Sequence, residues 1–161
     1  MLQHSPNQAR RILVVANETV ESPLLQDALR ATQAGEPDTQ VLVVAPALNS
    51  RLRHWLSDND AAREAAAARL RRSVARLREA GFDARGWIGD SDPLQAIVDA
   101  LRLFDADRIV ISTHPEARSN WLARNLVERA RLQCRRPVLH IVADTALRHD
   151  YVAGRDELAA A

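Results

Sequence analysis

The chain has 161 residues, 47% hydrophobic and 27% charged, with 22 basic against 21 acidic side chains and a net charge of +1. That size suits one domain with a substantial core, and the near-neutral balance excludes long-range attraction to nucleic acid or anionic lipid. The single cysteine, Cys134, excludes a disulfide scaffold, and the absence of lysine excludes Schiff-base and lysine general-base chemistry.

Residues 1–10 are polar, lack the apolar core of a signal peptide and are expected to be disordered. Ile12–Ala16 is a continuous apolar, largely β-branched run and reads as the first strand. Ser22-Pro23 then supplies a helix N-cap and first turn, followed by Leu24, Leu25, Ala28, Leu29 and Thr32 at helical spacing and by Gly35 as a stop. Val41–Ala45 is the second strand, and Asn49–Trp55 fits a short helix in the next crossover. Asp60–Ala80 is a long Ala/Arg/Glu helix ending at Gly81, with Ala66, Leu70, Val74 and Leu77 as its apolar stripe.

A weaker strand, Ala84–Ile88, precedes a Gly89-Asp90 turn. Asp92-Pro93 with Gln95 reads as a capping box opening a helix over Pro93–Phe104, with Leu94, Ile97, Val98 and Leu101 facing inward. Ile109–Ile111 is the fourth strand. Ser119 is placed to cap a helix over Asn120–Gln133, whose apolar positions are Trp121, Leu122, Leu126, Val127 and Ala130. Val138–Val142 is the fifth strand, and residues 146–161 are a polar, alanine-ending segment expected to be a mobile tail.

Continuous rather than alternating apolar runs mark strands covered on both faces. Strands alternating with helices imply right-handed crossovers, hence an α/β, doubly wound parallel sheet. One domain over residues 11–145 is expected. No apolar run approaches the roughly 20 residues that span a bilayer, and the chain is expected in the cytoplasm.

In such sheets ligands bind beyond the carboxyl ends of the strands, where strand order reverses. That rule selects Asn17-Glu18-Thr19, Pro46-Ala47, Gly89-Asp90-Ser91 and Ser112 to Glu116. Residues 112–121, STHPEARSNW, concentrate hydroxyl, imidazole, carboxylate and guanidinium groups in one loop. The fourth helix would aim its first backbone N–H groups from Ser119-Asn120 at the same crevice, with Arg118 and Arg124 beside an anion. Two readings stay open: a site for a small polar or anionic ligand, or a loop that satisfies its own backbone and caps its helix.

His114 with Glu116 is a candidate acid/base pair or half of a metal site, but no second cluster has metal-ligand spacing and no metal is expected. His140, inside a strand, reads as a packed or interface histidine. His54 and Trp55 would lid the crevice or pack on it. Ser91 and Asp92 read as capping residues and Cys134 as structural. No nucleophile elbow, Walker loop or dinucleotide glycine motif occurs. The arginines of Arg63–Arg78, without interleaved aromatics, read as a solvated face.

Three stretches carry a resemblance: residues 11–19, RILVVANET; residues 89–113, GDSDPLQAIVDALRLFDADRIVIST; and residues 136–142, RPVLHIV. Across roughly residues 11 to 144 the chain resembles the universal stress protein family. The resemblance implies a Rossmann-like, five-stranded parallel sheet in the order 3-2-1-4-5 with helices on both faces. It also implies a homodimer paired through the last strand, Pro137–Val142, an exposed apolar edge that needs covering.

Nucleotide-binding members of that family carry a glycine, two residues, a glycine, nine residues, then Gly-Ser or Gly-Thr. Those positions fall here on Ser112, Pro115, Asn125 and Leu126, and the family's adenine-contacting aspartate falls on Asn17. Pro115 removes an N–H donor and Leu126 offers no hydroxyl. The expectation is therefore a non-catalytic regulatory or binding domain that does not hold ATP or AMP in the family manner and needs no cofactor. Two alternatives remain: a nucleotide or other phosphate-ligand binder with a rewritten loop at 112–125, and a small hydrolase or transferase using His114 and Glu116. The candidate ligand residues are Asn17, Thr19, Ser112, Thr113, His114, Glu116, Arg118, Ser119, Asn120, Arg124 and Asn125.

Overall fold

The structure, a computed structural model, describes residues 10–16, 22–33, 38–47, 59–115, 125–144 and 149–152. Its strands are β1 (Arg11–Val15), β2 (Gln40–Pro46), β3 (Asp83–Gly89), β4 (Arg108–Thr113), β5 (Val138–Asp144) and β6 (His149–Val152). Its helices are α1 (Pro23–Gln33), α2 (Asn59–Glu79), α3 (Pro93–Leu103) and α4 (Leu126–Cys134). The sheet order is β3-β2-β1-β4-β5-β6. The first five strands pair in parallel, in the expected order 3-2-1-4-5.

Strand alternation explains why the apolar runs are continuous. Ile12, Val14, Val41, Val43, Val110 and Ile141 share one core with Leu25 and Leu29 of α1 and Leu70, Val74 and Leu77 of α2. Leu13, Val15, Val44, Ile109, Ile111 and Val138 share the other with Leu94, Ile97 and Ala100 of α3 and Leu126, Val127 and Ala130 of α4. β1 and β4 are thus packed on both faces, and each buried Val, Leu or Ile contributes about 1.5–3 kcal/mol.

The helix boundaries have local causes. Ser22 caps α1, its Oγ accepting from the Leu25 N–H at 3.4 Å. α2 ends in a Schellman arrangement: Gly81 at φ 93° lets its N–H reach the Arg78 carbonyl, while the Phe82 N–H reaches Leu77, both at 3.0 Å. Asp92 caps α3 through the Leu94 N–H at 3.0 Å. The expected capping box does not close. The Asp92 N–H donates to Asp90 Oδ1 at 2.8 Å, and Gln95 turns along the helix to Asp99 at 2.8 Å.

The C-terminal segment departs from the sequence reading. Residues 146–161 were expected to be a mobile tail, yet His149–Val152 forms β6, antiparallel to β5 with Ile141 opposite Val152 and Asp144 opposite His149. β6 therefore occupies the edge of β5 over Ile141–Asp144, part of the edge expected to carry a dimer. A hydrogen-bonded strand takes up the unpaired N–H and C=O groups of the edge it pairs with. The fourth helix was expected from Asn120. Its described part starts at Leu126, and residues 116–124 lie outside the described residues.

Candidate functional site

The sheet reverses its winding between β1 and β4. β1 leads through α1 to β2, with α1 on one face, whereas β4 leads through α4 to β5, with α4 on the other. The carboxyl ends of β1 and β4 lie side by side there, the position where open α/β sheets bind ligands. Ala16 extends the pairing one residue past β1, its N–H donating to the Val44 carbonyl at 3.1 Å.

Ser112 and Thr113 end β4 opposite Ile141 and Val142. Alternation sends Ser112 to the α1/α2 face and Thr113 to the α3/α4 face, and both are buried. Thr113 Oγ1 lies 2.9 Å from His140 Nε2, a buried pair joining β4 to β5 diagonally across the register. Above it on α4, Arg131 pairs with Glu128 at 2.6 Å. Burial of the ring, and secondarily the charge of Arg131, push the His140 pKa below its ordinary value. The ring is neutral near pH 7, and as such it can exchange a hydrogen bond with the Thr113 hydroxyl.

This pair is expected to make the stability of the β4 end depend on pH. The folded pKa lies below the unfolded value of about 6.5, so the unfolded chain binds the extra proton first as the solution turns acid. The contribution is complete above about pH 6.5 and is lost as pH falls from there toward the folded value. His140→Gln, which keeps a polar group for Thr113 and cannot titrate, is expected to show a shallower fall of Tm between about pH 7.5 and pH 5.5 than the native protein. Parallel curves for the two proteins would remove His140 as the cause.

His114 and Pro115 continue the loop, both half-buried. Asn125 precedes α4 with φ 50° and ψ 38°, a left-handed conformation, and makes no side-chain cap bond. Its carbonyl accepts from the Arg129 N–H at 3.0 Å. Among side chains that carry a Cβ, asparagine tolerates this region well. Leu126 is 1% exposed and belongs to the α3/α4 core.

Of the candidate residues, Ser112, Thr113 and His114 are therefore gathered at the end of β4, and Asn125 stands at the start of α4. Asn17, Thr19, Glu116, Arg118, Ser119, Asn120 and Arg124 lie outside the described residues, as do His54 and Trp55. Pro46-Ala47 and Gly89-Asp90-Ser91 are joined to each other, the Ala47 N–H donating to the Gly89 carbonyl at 3.2 Å. The Asp90 carboxylate is taken up by Ser91 and by the Asp92 N–H. Among the described residues no three His, Cys, Asp or Glu side chains converge on a metal-sized site. Burial raises the Cys134 pKa, which disfavours the reactive thiolate.

The Thr113–His140 bond was missed at the sequence level. Its partners are 27 residues apart, and only the parallel register of β4 on β5 brings them together.

No protein-family model matches the chain, and no curated protein matches it significantly. Solved structures do. A protein of the universal stress protein family from Burkholderia pseudomallei is 20% identical, with 84% of this chain and 98% of that one covered and a TM-score of 0.59. A universal stress protein from Archaeoglobus fulgidus is 22% identical, with 81% and 92% covered and a TM-score of 0.57. The chain has the universal stress protein fold over most of its length. No described helix is long and apolar enough to cross a membrane.

Proposed function

We propose that this is a non-catalytic binding or regulatory domain whose crevice at the carboxyl ends of β1 and β4 takes a small polar or anionic ligand. ATP is not held there in the manner of the family's nucleotide-binding members. The observation that carries this reading is the burial of Leu126, at 1% exposure, where those members place a hydroxyl residue. A side chain committed to the α3/α4 core cannot contact a phosphate, and Pro115 lacks the N–H that a phosphate cradle would use.

A second reading, a phosphate-ligand binder with a rewritten loop, is favoured by Asn125. This residue keeps, at φ 50°, the left-handed backbone that a glycine at that position readily adopts. The hydrolase or transferase reading needs Glu116, which lies outside the described residues, and is not carried further. Among the described residues β6 pairs only with Ile141–Asp144, so a homodimer through the last strand would use Pro137–His140 or the outer edge of β6. Nucleic acid and membrane surfaces are not proposed as partners, given a net charge of +1.

Thermal-shift and calorimetric titrations with Mg·ATP, ADP, AMP, cyclic AMP and pyrophosphate separate the two readings. A ligand present at about 100 times its Kd adds about 2.7 kcal/mol to stability, which raises Tm by several degrees. The first reading expects no shift with any of the four nucleotides. A saturable shift with any of the nucleotides selects the second, and a shift with pyrophosphate alone is a small-anion response that both readings allow. A saturable Mg·ATP response abolished by substituting Asn125 would overturn the claim that ATP is not held in the family manner.

A further inference from the structure

A recess of about 320 Å³ opens at the other end of the sheet, where β1, β2 and β3 begin and α3 ends. Its lining includes Arg11, Leu42, Asp83, Arg85, Leu103 and Phe104. Its origin is geometric. α3 starts beside the carboxyl ends of the strands and stops at Leu103, and the extended Phe104 (φ −133°) leads the chain away to β4. Alternation turns Arg11, Leu42, Asp83 and Arg85 toward the α3/α4 face just beyond that helix end.

The lining has two characters. Leu42 and Phe104 are half-buried apolar groups on its walls, and Leu103 stands at the rim, 79% exposed, a large apolar surface left in water. Arg11 and Arg85 supply two positive charges against the one negative charge of Asp83, a formal excess of +1. The Arg11 backbone N–H donates to Asp107, but among the described residues no hydrogen bond or ion pair holds its guanidinium. Arg85 meets Asp83 only at 3.8 Å, with side chains 74% and 53% exposed, a pairing too solvated to bind it firmly. Guanidinium donors beside an aromatic ring, in a recess at the small end of ligand-site volumes, suit a ligand with one carboxylate and an apolar body. Asp83 disfavours a second negative charge.

We propose that this recess binds a small monocarboxylate carrying an aromatic or branched apolar body. The carboxylate lies against Arg11 and Arg85, and the body lies against Leu42, Leu103 and Phe104. The site is separate from the crevice at the opposite end of the strands, so it stands or falls independently of the proposed function.

The test uses 1-naphthylacetate, with 1-naphthylacetamide as the uncharged analogue and acetate as the bodiless one, on the full chain. Isothermal titration calorimetry is expected to show saturable binding of the acid and at least about tenfold weaker binding of the amide and of acetate. Amide NMR shifts should centre on Leu42, Asp83, Arg85 and Phe104. Arg11→Gln and Leu103→Glu should each weaken the acid by about tenfold. Leu103 is exposed, so its variant reads binding even where Arg11→Gln perturbs folding. Equal affinity for acid and amide, no saturation with the acid, or shifts centred on Ser112–His114 would each overturn the proposal.

Discussion

Leu126→Ser, which introduces the hydroxyl residue that nucleotide-binding universal stress proteins carry at this position, is expected to destabilise the chain by about 3–8 kcal/mol and to confer no ATP binding. Leu126 is 1% exposed and packs among the residues that α3, α4, β1 and β4 bury together. Truncating a buried leucine removes transfer free energy and leaves a cavity, at about 2–5 kcal/mol. An unpartnered buried hydroxyl adds about 1–3 kcal/mol in a poor environment. Against a typical total of about 5–15 kcal/mol, that is a large share. In a chain of this size Tm should fall by about 10 °C or more, measured by calorimetry at fixed pH.

The neighbouring motif position supplies the control. Asn125→Gly is expected to change stability by less than about 1 kcal/mol, because φ 50° and ψ 38° suit glycine as well as asparagine. If Leu126→Ser keeps its Tm and gains a saturable Mg·ATP response, the hydroxyl position is not core and the reading of this crevice fails.

The second large effect lies at the far end of β3. A Cβ on Gly89 would stand 2.7 Å from the Ala96 Cβ and 3.0 Å from Val44 Cγ1. The first contact cannot be relieved by a rotamer change, since the Ala96 Cβ moves only with α3 itself. Gly89→Ala is therefore expected to cost about 1–3 kcal/mol, in the range of overpacked cores, and to lower Tm by about 3–10 °C. Gly86→Ala meets Leu70 Cγ at 2.9 Å and Val74 Cγ2 at 3.0 Å, side chains of α2 with some room to turn, and should cost less.

A double-mutant cycle checks the cause. Ala96→Gly alone costs about 1 kcal/mol in a helix interior. Combined with Gly89→Ala it should recover part of the loss, giving a favourable coupling of at least about 0.5 kcal/mol. Strict additivity would show that the contact between β3 and α3 is not the source.

The architecture was legible because its signals are local and repeated. Ile12–Ala16, Val41–Ala45, Ile109–Ile111 and Val138–Val142 are short, largely apolar runs rich in β-branched residues, too short for helices, and strands covered on both faces present that pattern. Leu70, Val74 and Leu77 mark the inward stripe of α2, and Gly81 marks its end; each is visible within one or two helical turns. β6 gave no such signal. His149–Val152 is short and mixed in polarity, and it is a strand only because the edge of β5 offers unpaired backbone groups. The failed capping box at Gln95 has a similar cause: Asp90 reaches the Asp92 N–H first.

The site divides in the same way. The amino-acid order expected the fourth strand to stop at Ile111, whereas β4 runs on through Ser112 and Thr113, with His114 just beyond it and Asn125 before α4. It also put a proline and a leucine at 115 and 126, where nucleotide-binding members of the resembling family carry glycine and a hydroxyl residue. The latter is a statement about which groups a residue carries, and no folding is needed to make it. Tertiary structure alone could pair Thr113 with His140, commit Leu126 to the core and open the recess between Arg11, Arg85 and Leu103. Each depends on register, on helix placement or on where α3 stops. Such long-range packing is decided by how separate elements meet and has no local trace in the chain.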